Sequence, residues 1–318
     1  MLPVNGAHPP PHHISRLGTM KFSLILTTKG RVAEIDRLFR SLAAQTMQDF
    51  QIIVSDQNDD DRVGELIRKW DWKDRVIHVK SSGGASAGRN RGLELAQGEF
   101  VGFPDDDCSF PPELLNQVGR FFEGHPEFGV LSGRSVAEDG GDGASRHSRQ
   151  ASVIRKLSIF TQCIEFTLFA RRAELGAMRF DENLGVGCST PWQADEGPDL
   201  LLRLQDQGVQ SYYDPQYTIW HPRPVPNYDA KSMDRVYRYA CGTGYFLRKH
   251  RYPLWYFVYR LAKMFCGAVV FHLLLKPGKA REYLVRIRGQ YRGWTEMPRS
   301  SQASSLHPSS QPQPTTSA

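Results

Sequence analysis

Three aspartates in succession, Asp105, Asp106 and Asp107, follow the apolar run FVGFP at residues 100–104. Carboxylates crowded at the end of a strand that leaves a core repel one another, and the set is costly without a cation nearby. Hard divalent ions such as Mg2+ and Mn2+ prefer carboxylate oxygens, and Mg2+ commonly binds through one or two carboxylates plus substrate phosphates. The run therefore suits a metal that clamps a phosphorylated ligand. The other use of such residues is a solvated turn capping the helix that starts near Pro111. The neighbouring acids DQNDDD at 56–61 lack the glycine and distal glutamate of a calcium loop.

Two further places could do chemistry. Asp195, Glu196 and Asp199 stand together at a helix start, where acids either complement the helix dipole or serve as a base. His221, in YTIWHP, offers an imidazole that can join carboxylates around Mn2+, although a lone histidine is more often structural. The stretch SSGGASAGRN at 81–90 puts small residues and free backbone N–H groups at a helix start, an arrangement that suits anions without matching a P-loop.

The elements that must position these residues follow from periodicity. KFSLILTT at 21–28, FQIIVSD at 50–56, RVIHVK at 75–80 and EFVGF at 99–103 read as strands. Between them, VAEIDRLFRSLAAQT, DRVGELIRKW and SAGRNRGLELAQ read as helices, the first with Val32, Ile35, Leu38, Phe39 and Leu42 on one face. Alternation of this kind predicts a mostly parallel sheet with helices on both sides, and ligands in such sheets collect at the C-terminal strand ends. Thr27, Thr28, Asp56 and the acidic run all stand at such ends. Beyond Val130 the signal weakens. Residues 137–152 read as a Gly/Ser-rich mobile loop beside the site, and residues 180–208 as an irregular loop running into a helix that starts near Pro198 and stops at Gly208. VQSYYDP is a further strand, and residues 229–290 are helical.

LILTTKGR, FQIIVSD, ASAGRNRGLELAQGEFVGFPDDD, FDENLG and DEGPDLLLRLQDQG occur in the order and at roughly the spacing of the family 2 inverting glycosyltransferases of the GT-A fold, and residues 21–222 resemble that family. The resemblance implies a Rossmann-like α/β sheet and a nucleotide-sugar donor. It makes Asp105 and Asp107 the two acids of a D-x-D motif, Asp107 the more direct ligand of Mn2+ or Mg2+, and Asp105 and Asp106 neighbours of the donor. It sets Asp56 beside the nucleobase, where a carboxylate can accept the imide N–H of uracil or thymine. Thr27 and Thr28 then border the nucleotide, Arg89 assists the diphosphate or forms a structural salt bridge, and His221 joins the metal. The resemblance also places a catalytic base just before the Asp-Leu helix start. Glu196 is the first choice and Asp195 the second, because Gly197 stands where the family commonly has the second acid of a pair.

Composition bounds this expectation. The 318 residues are 40% hydrophobic and hold five scattered cysteines without any C-x-x-C pair, which argues against a disulfide framework or a zinc site and fits a cytoplasmic setting. Residues 1–20 read as a leader without an apolar signal core, and residues 295–318 as a low-complexity disordered tail. Residues 226–294 form a basic, aromatic-rich helical segment behind a catalytic domain at 21–225. From Arg223 to Trp294 there are fifteen Lys and Arg against three Asp and Glu, in a chain whose net charge is +6. Such a segment suits an anionic membrane surface, and with no recognised nucleic-acid-binding module a nucleic-acid role is disfavoured. Its most apolar part, residues 254–275, is interrupted by Arg260, Lys263 and His272, which favours an interfacial or core helix over a membrane span.

The expectation is thus a metal-dependent hexosyl- or deoxyhexosyltransferase of surface polysaccharide synthesis, acting on a glycan or lipid-linked acceptor and peripheral on the inner face of the cell membrane. The alternatives are a nucleotidyltransferase, or a non-catalytic carbohydrate- or membrane-binding protein on a degenerate transferase scaffold.

Overall fold

The computed structural model describes residues 20–70, 72 and 74–296, so the segments expected as leader and tail lie almost wholly outside the described residues. The strands are β1 (Phe22–Thr28), β2 (Phe50–Asp56), β3 (Val76–Lys80), β4 (Phe100–Gly102), β5 (Phe128–Val136), β6 (Ser152–Val153), β7 (Leu168–Arg171) and β8 (Gln210–Trp220). They form one sheet in the order β3-β2-β1-β4-β7-β5-β8-β6. The β3-β2-β1-β4 half is parallel, β7 inserts antiparallel to both β4 and β5, β8 runs parallel to β5, and β6 is antiparallel to β8.

The first half forms as its sequence dictates. Every residue of β2 is buried, as a strand covered on both faces must be. Leu24 and Leu26 of β1 face one core with Ile35, Leu38, Phe39 and Leu42 of helix α1 (Ala33–Ala43), together with Val63 and Leu66 of α2 (Arg62–Lys69). Ile25, between the two leucines, faces the opposite core with Ile53 and with Leu93 of α3 (Ala85–Leu93). Period-2 alternation in the strand thus feeds period-3.6 stripes on helices of both layers.

The sequence expectation contains neither β5 nor β7. FGVLSGRSV carries glycines at 129 and 133, and its pairing with β8 shifts register twice, so it lacks clean alternation. β7 has only four residues. The remaining helices are α4 (Leu114–Gly124), the single turn α5 (Arg172–Leu175), α6 (Glu196–Asp206), α7 (Ala230–Lys249), α8 (Leu254–Leu273) and α9 (Pro277–Thr295).

The last three helices pack in sequence. α7 and α9 meet backbone to backbone: a Cβ on Gly293 would lie 1.9 Å from the Cys241 carbonyl, and one on Gly244 2.1 Å from that of Gln290. α8 holds to this pair through Phe257, whose ring stacks on Trp294 at 4.3 Å. Its other face is bare. Leu254, Trp255, Val258, Tyr259, Phe265, Val269, Val270 and Leu273 are all exposed and recur at helical spacing along one stripe. α8 is long and apolar enough to cross a membrane by length and composition. It is not a core helix of the described chain, since only Phe257 and Ala268 along it are buried.

Candidate active site

The C-terminal strand edge gathers the expected residues. Thr28 pairs with Asp56 in the β1–β2 register, Asp56 with Lys80 in β2–β3, and Thr27 bridges in parallel to Asp105 beyond the end of β4. His221 arrives from the far half of the sheet. Ser109 and Trp220 exchange two backbone hydrogen bonds of 2.9 Å each, which brings the residue after β8 against the acidic run. One side-chain oxygen each of Asp105 and Asp107 and one ring nitrogen of His221 lie within 4.8 Å of one another.

The imidazole is held from three sides. Its ring stacks on Phe166 at 4.7 Å, Nδ1 faces the Pro222 carbonyl at 2.7 Å, and Nε2 lies 3.2 Å from Asp107 Oδ1. A carbonyl and a carboxylate both accept, so in these contacts Nδ1 and Nε2 each donate, and Nε2 becomes a ligand when it gives up its proton. Although burial works against charge on His221, its hydrogen bond to Asp107 raises its pKa. Burial likewise opposes ionisation of Asp107, but the same bond and the nearby Arg31 hold it below the usual carboxylate range. Two hard carboxylate oxygens and an imidazole nitrogen form a donor set that fits Mn2+ or Mg2+.

Asp106 points elsewhere. It accepts from Thr28 Oγ1 at 2.8 Å and from Arg31 Nη1 at 2.5 Å, and burial pushes it up to about 6. Arg31 also reaches Asp107 Oδ2 at 2.5 Å. This arginine closes the LILTTKGR stretch yet has no role in the sequence expectation; a cation just past the end of β1 was the available signal.

Arg89 lies at the centre of the site, 2% exposed. It donates to Asp105 Oδ1 at 3.0 Å and to Glu196 Oε1 at 2.9 Å. A buried cation between two carboxylates joins the strand-edge acids to the start of α6, a salt bridge that is one of its two expected uses. Its neighbour Asn90 fixes the segment 180–182, donating to the Phe180 carbonyl and Glu182 and accepting from Phe180 N–H.

The three acids of the α6 start differ in surroundings. Glu196 is 2% exposed against Arg89. Asp195 adopts φ +65°, its Oδ2 is buried without a partner, and burial lifts its pKa to about 6 despite a hydrogen bond from Thr243. Asp199 is wholly buried and bound by Arg203, His250 and Lys249, which together pull its pKa well below normal against the effect of burial. Gly197 has a steric reason: a Cβ there would meet Glu165 Cβ at 2.8 Å and Cα at 2.9 Å. Glu165 lies in the 3-10 turn Glu165–Thr167, outside the sequence expectation, and burial beside Glu196 raises its pKa well above normal.

Asp56 ends β2 fully buried, accepting from Lys80 Nζ at 2.8 Å and from both nitrogens of Asn58, with His78 Nε2 at 3.0 Å. These bonds outweigh burial and lower its pKa. Beside it opens a cleft of about 380 Å³ lined by Lys29, Gln57, Asn58, Lys80 and the Ser81–Gly84 turn.

Known proteins agree with this architecture. The chain is 30% identical over 109 residues to an uncharacterized glycosyltransferase of Haemophilus influenzae, covering 34% of this chain and 37% of that protein. It is 32% identical over 114 residues to the poly(ribitol-phosphate) beta-N-acetylglucosaminyltransferase TarS of Staphylococcus aureus, 33% of this chain and 19% of TarS. These matches span well under half the length of the curated relatives. In structure, the chain resembles S. aureus TarS 1-349 in complex with UDP-GlcNAc at a TM-score of 0.54 and 17% identity, covering 86% of this chain and 92% of that one. It also resembles the mannosyltransferase PcManGT of Pyrobaculum calidifontis in complex with GDP-Man and Mn2+, at 0.51 and 15%, over 70% and 63% of the two chains. These structural likenesses establish the GT-A fold. Residues 23–184 match the family model described as glycosyl transferase family 2, just over half of the sequence, and the chain belongs to that family.

Proposed function

We propose that this chain is a metal-dependent, inverting hexosyl- or deoxyhexosyltransferase that moves a sugar from a nucleotide-sugar donor to a glycan or lipid-linked acceptor in surface polysaccharide synthesis. The observation that carries this reading is the meeting of Asp105, Asp107 and His221 at the strand edge, with Glu196 joined to the same cluster through Arg89. A TarS fragment in complex with UDP-GlcNAc and PcManGT in complex with GDP-Man and Mn2+ support the donor class and the metal.

Asp107, Asp105 and His221 would hold Mn2+ or Mg2+, which when bound neutralises charge on the donor's diphosphate. The nucleoside occupies the cleft beside Asp56, with Thr27 and Thr28 bordering it. Asp56 serves that cleft through the groups it fixes, since Lys80 and Asn58 line the cleft and both hydrogen-bond to its carboxylate. Arg31 and Asp106 stand on the donor side, and Arg89 keeps Asp105 and Glu196 in position. In an inverting displacement the acceptor oxygen attacks the anomeric carbon opposite the leaving diphosphate. Glu196 takes the acceptor's proton, with Asp195 the second candidate.

Residues 21–225 form the catalytic unit in this reading, and residues 226–294 seat it as a peripheral protein on the inner face of the cell membrane. The bare apolar stripe of α8 supports an interfacial helix. On α9, Arg281, Leu284, Arg288 and Tyr291 are exposed at helical spacing, a mixture suited to anionic headgroups.

Thermal melting with UDP-, dTDP- and GDP-sugars, with and without Mn2+, tests the donor reading, because a ligand that binds only the native state raises its melting temperature. The expected result is stabilisation by one nucleotide class that requires the metal. Identical curves with every nucleotide would sink the proposal.

A further inference from the structure

One acid beside the carboxyl cluster, Glu165, has no part in the donor chemistry proposed above. The 3-10 turn Glu165–Thr167 delivers consecutive residues to the two halves of the site: the Phe166 ring to His221, and Glu165 to the start of α6. Glu165 is only partly exposed, and its charged neighbours include Glu196, Arg89 and Asp105. The hydrogen bond that its carboxylate receives comes from its own backbone N–H. A carboxyl group keeps acceptor positions in either protonation state, so some of them remain for a ligand.

Facing it is α7. Tyr239 is 37% exposed, and its charged neighbours are Arg235 first and then Glu196, Glu165 and Asp105. Gln193 N–H donates to the Arg238 carbonyl at 3.3 Å and a Cβ on Gly242 would lie 2.5 Å from Ala194 N, so this face of α7 packs against the chain that leads into the acids. A floor in which carboxyl groups outnumber the guanidinium of Arg89, with a tyrosine on the helix beside it, favours hydroxyls over anionic groups and offers a ring face to the C–H surface of a sugar.

We propose that Glu165 and Tyr239 form the acceptor subsite, and that the group bound there is a neutral polyhydroxylated one, a sugar or polyol with a hydroxyl beside the attacking one. Glu165 accepts a hydrogen bond from that second hydroxyl and thereby turns the first toward Glu196. The assignment rests on the transferase chemistry proposed above. It also gives Gly197 a purpose, since any side chain there would displace Glu165.

Saturation-transfer NMR on the full chain tests it, in the presence of UDP and Mg2+. The probes are methyl β-glucoside, methyl β-galactoside, methyl α-mannoside, methyl N-acetyl-β-glucosaminide and ribitol. At least one probe is expected to contact the wild type. Glu165→Ala and Tyr239→Ala should each weaken that contact about threefold to tenfold, the scale of a lost hydrogen bond or of a lost aromatic face. Glu165→Gln, which keeps one acceptor oxygen, should fall between. UDP-dependent thermal stabilisation should persist in all three variants, which separates this site from the donor site. Unchanged probe affinity in the variants, or no contact between any probe and the wild type, overturns the assignment. Loss of UDP stabilisation in the wild type itself would instead strike the donor reading.

Discussion

The imidazole of His221 lies nearly parallel to the ring of Phe166, 14° apart with centroids separated by 4.7 Å. Phe166 bears no polar group, so its part in the site is to fix the plane in which Nε2 meets Asp107. Phe166→Ala should leave the fold intact and weaken Mn2+-dependent donor binding by about tenfold, the lower end for losing a group that orients a metal ligand. Asp107→Asn should abolish it, since a charge and a hard ligand are removed together. Calorimetric titration of UDP with and without Mn2+ checks both, and unchanged donor affinity in Asp107→Asn would remove the metal assignment.

Glu196→Gln should retain donor binding and lower turnover by roughly 10²-fold to 10⁴-fold, the range for a lost general base. Loss of turnover in Asp195→Asn with Glu196→Gln still active would move the base by one residue.

Asp195→Asn carries a separate stability signature. The folded pKa of Asp195, about 6, lies above its ordinary 3.8. The native state therefore holds a proton that the unfolded chain releases between those values, and wild-type stability falls as pH rises through that window. Asparagine escapes this penalty, on the order of 3 kcal/mol, and accepts the left-handed backbone at φ +65°. The variant should melt above wild type at pH 7.5, and the gap should close toward pH 4. A lower melting temperature at pH 7.5 would contradict the burial of an unpaired carboxyl.

Asp199 gives the opposite sign. Its folded pKa is depressed, so its contribution is complete above the unfolded value and disappears as pH falls below about 4 toward the folded one. Asp199→Asn leaves Arg203, Lys249 and His250 without their shared partner and should destabilise by about 3 kcal/mol at neutral pH, as broken buried pairs do. Urea unfolding at pH 7 and pH 3 should show the difference shrinking in acid.

Sedimentation with phosphatidylserine-containing vesicles should fall as salt shortens the Debye length, without vanishing. The residual part belongs to apolar insertion, so Trp255→Ser with Val258→Ser should remove it. Equal sedimentation with neutral and anionic vesicles would contradict the electrostatic contribution, and none with either would leave the α8 stripe to a protein partner.

The parallel half of the sheet was legible because β1, β2 and β4 are apolar runs that end in polar residues, and parallel register alone sets those ends side by side. Asp56, Asp105 and Asp107 therefore needed no long-range information. His221 did: its arrival depends on the bridge between Ser109 and Trp220, two residues whose pairing leaves no trace in local periodicity. Arg31 did carry a local signal, a cation just past the end of β1, whereas Glu165 and Tyr239 sit on separate elements that come toward the same end of the sheet only through the packing of α7 on the chain before α6. Gly197 stood out in the sequence as a missing acid, and its cause is the backbone lying against it.

The contact between α7 and α9 has a mechanical consequence. Gly244 and Gly293 let the two helices touch through main-chain atoms, leaving no side-chain layer in which one could slide or tilt against the other. Phe257 fastens α8 to this pair by stacking on Trp294, so the outer stripe of α8 is tied through α9 to the wall that carries Tyr239. Whatever surface engages the stripe thereby fixes the direction in which the cleft opens.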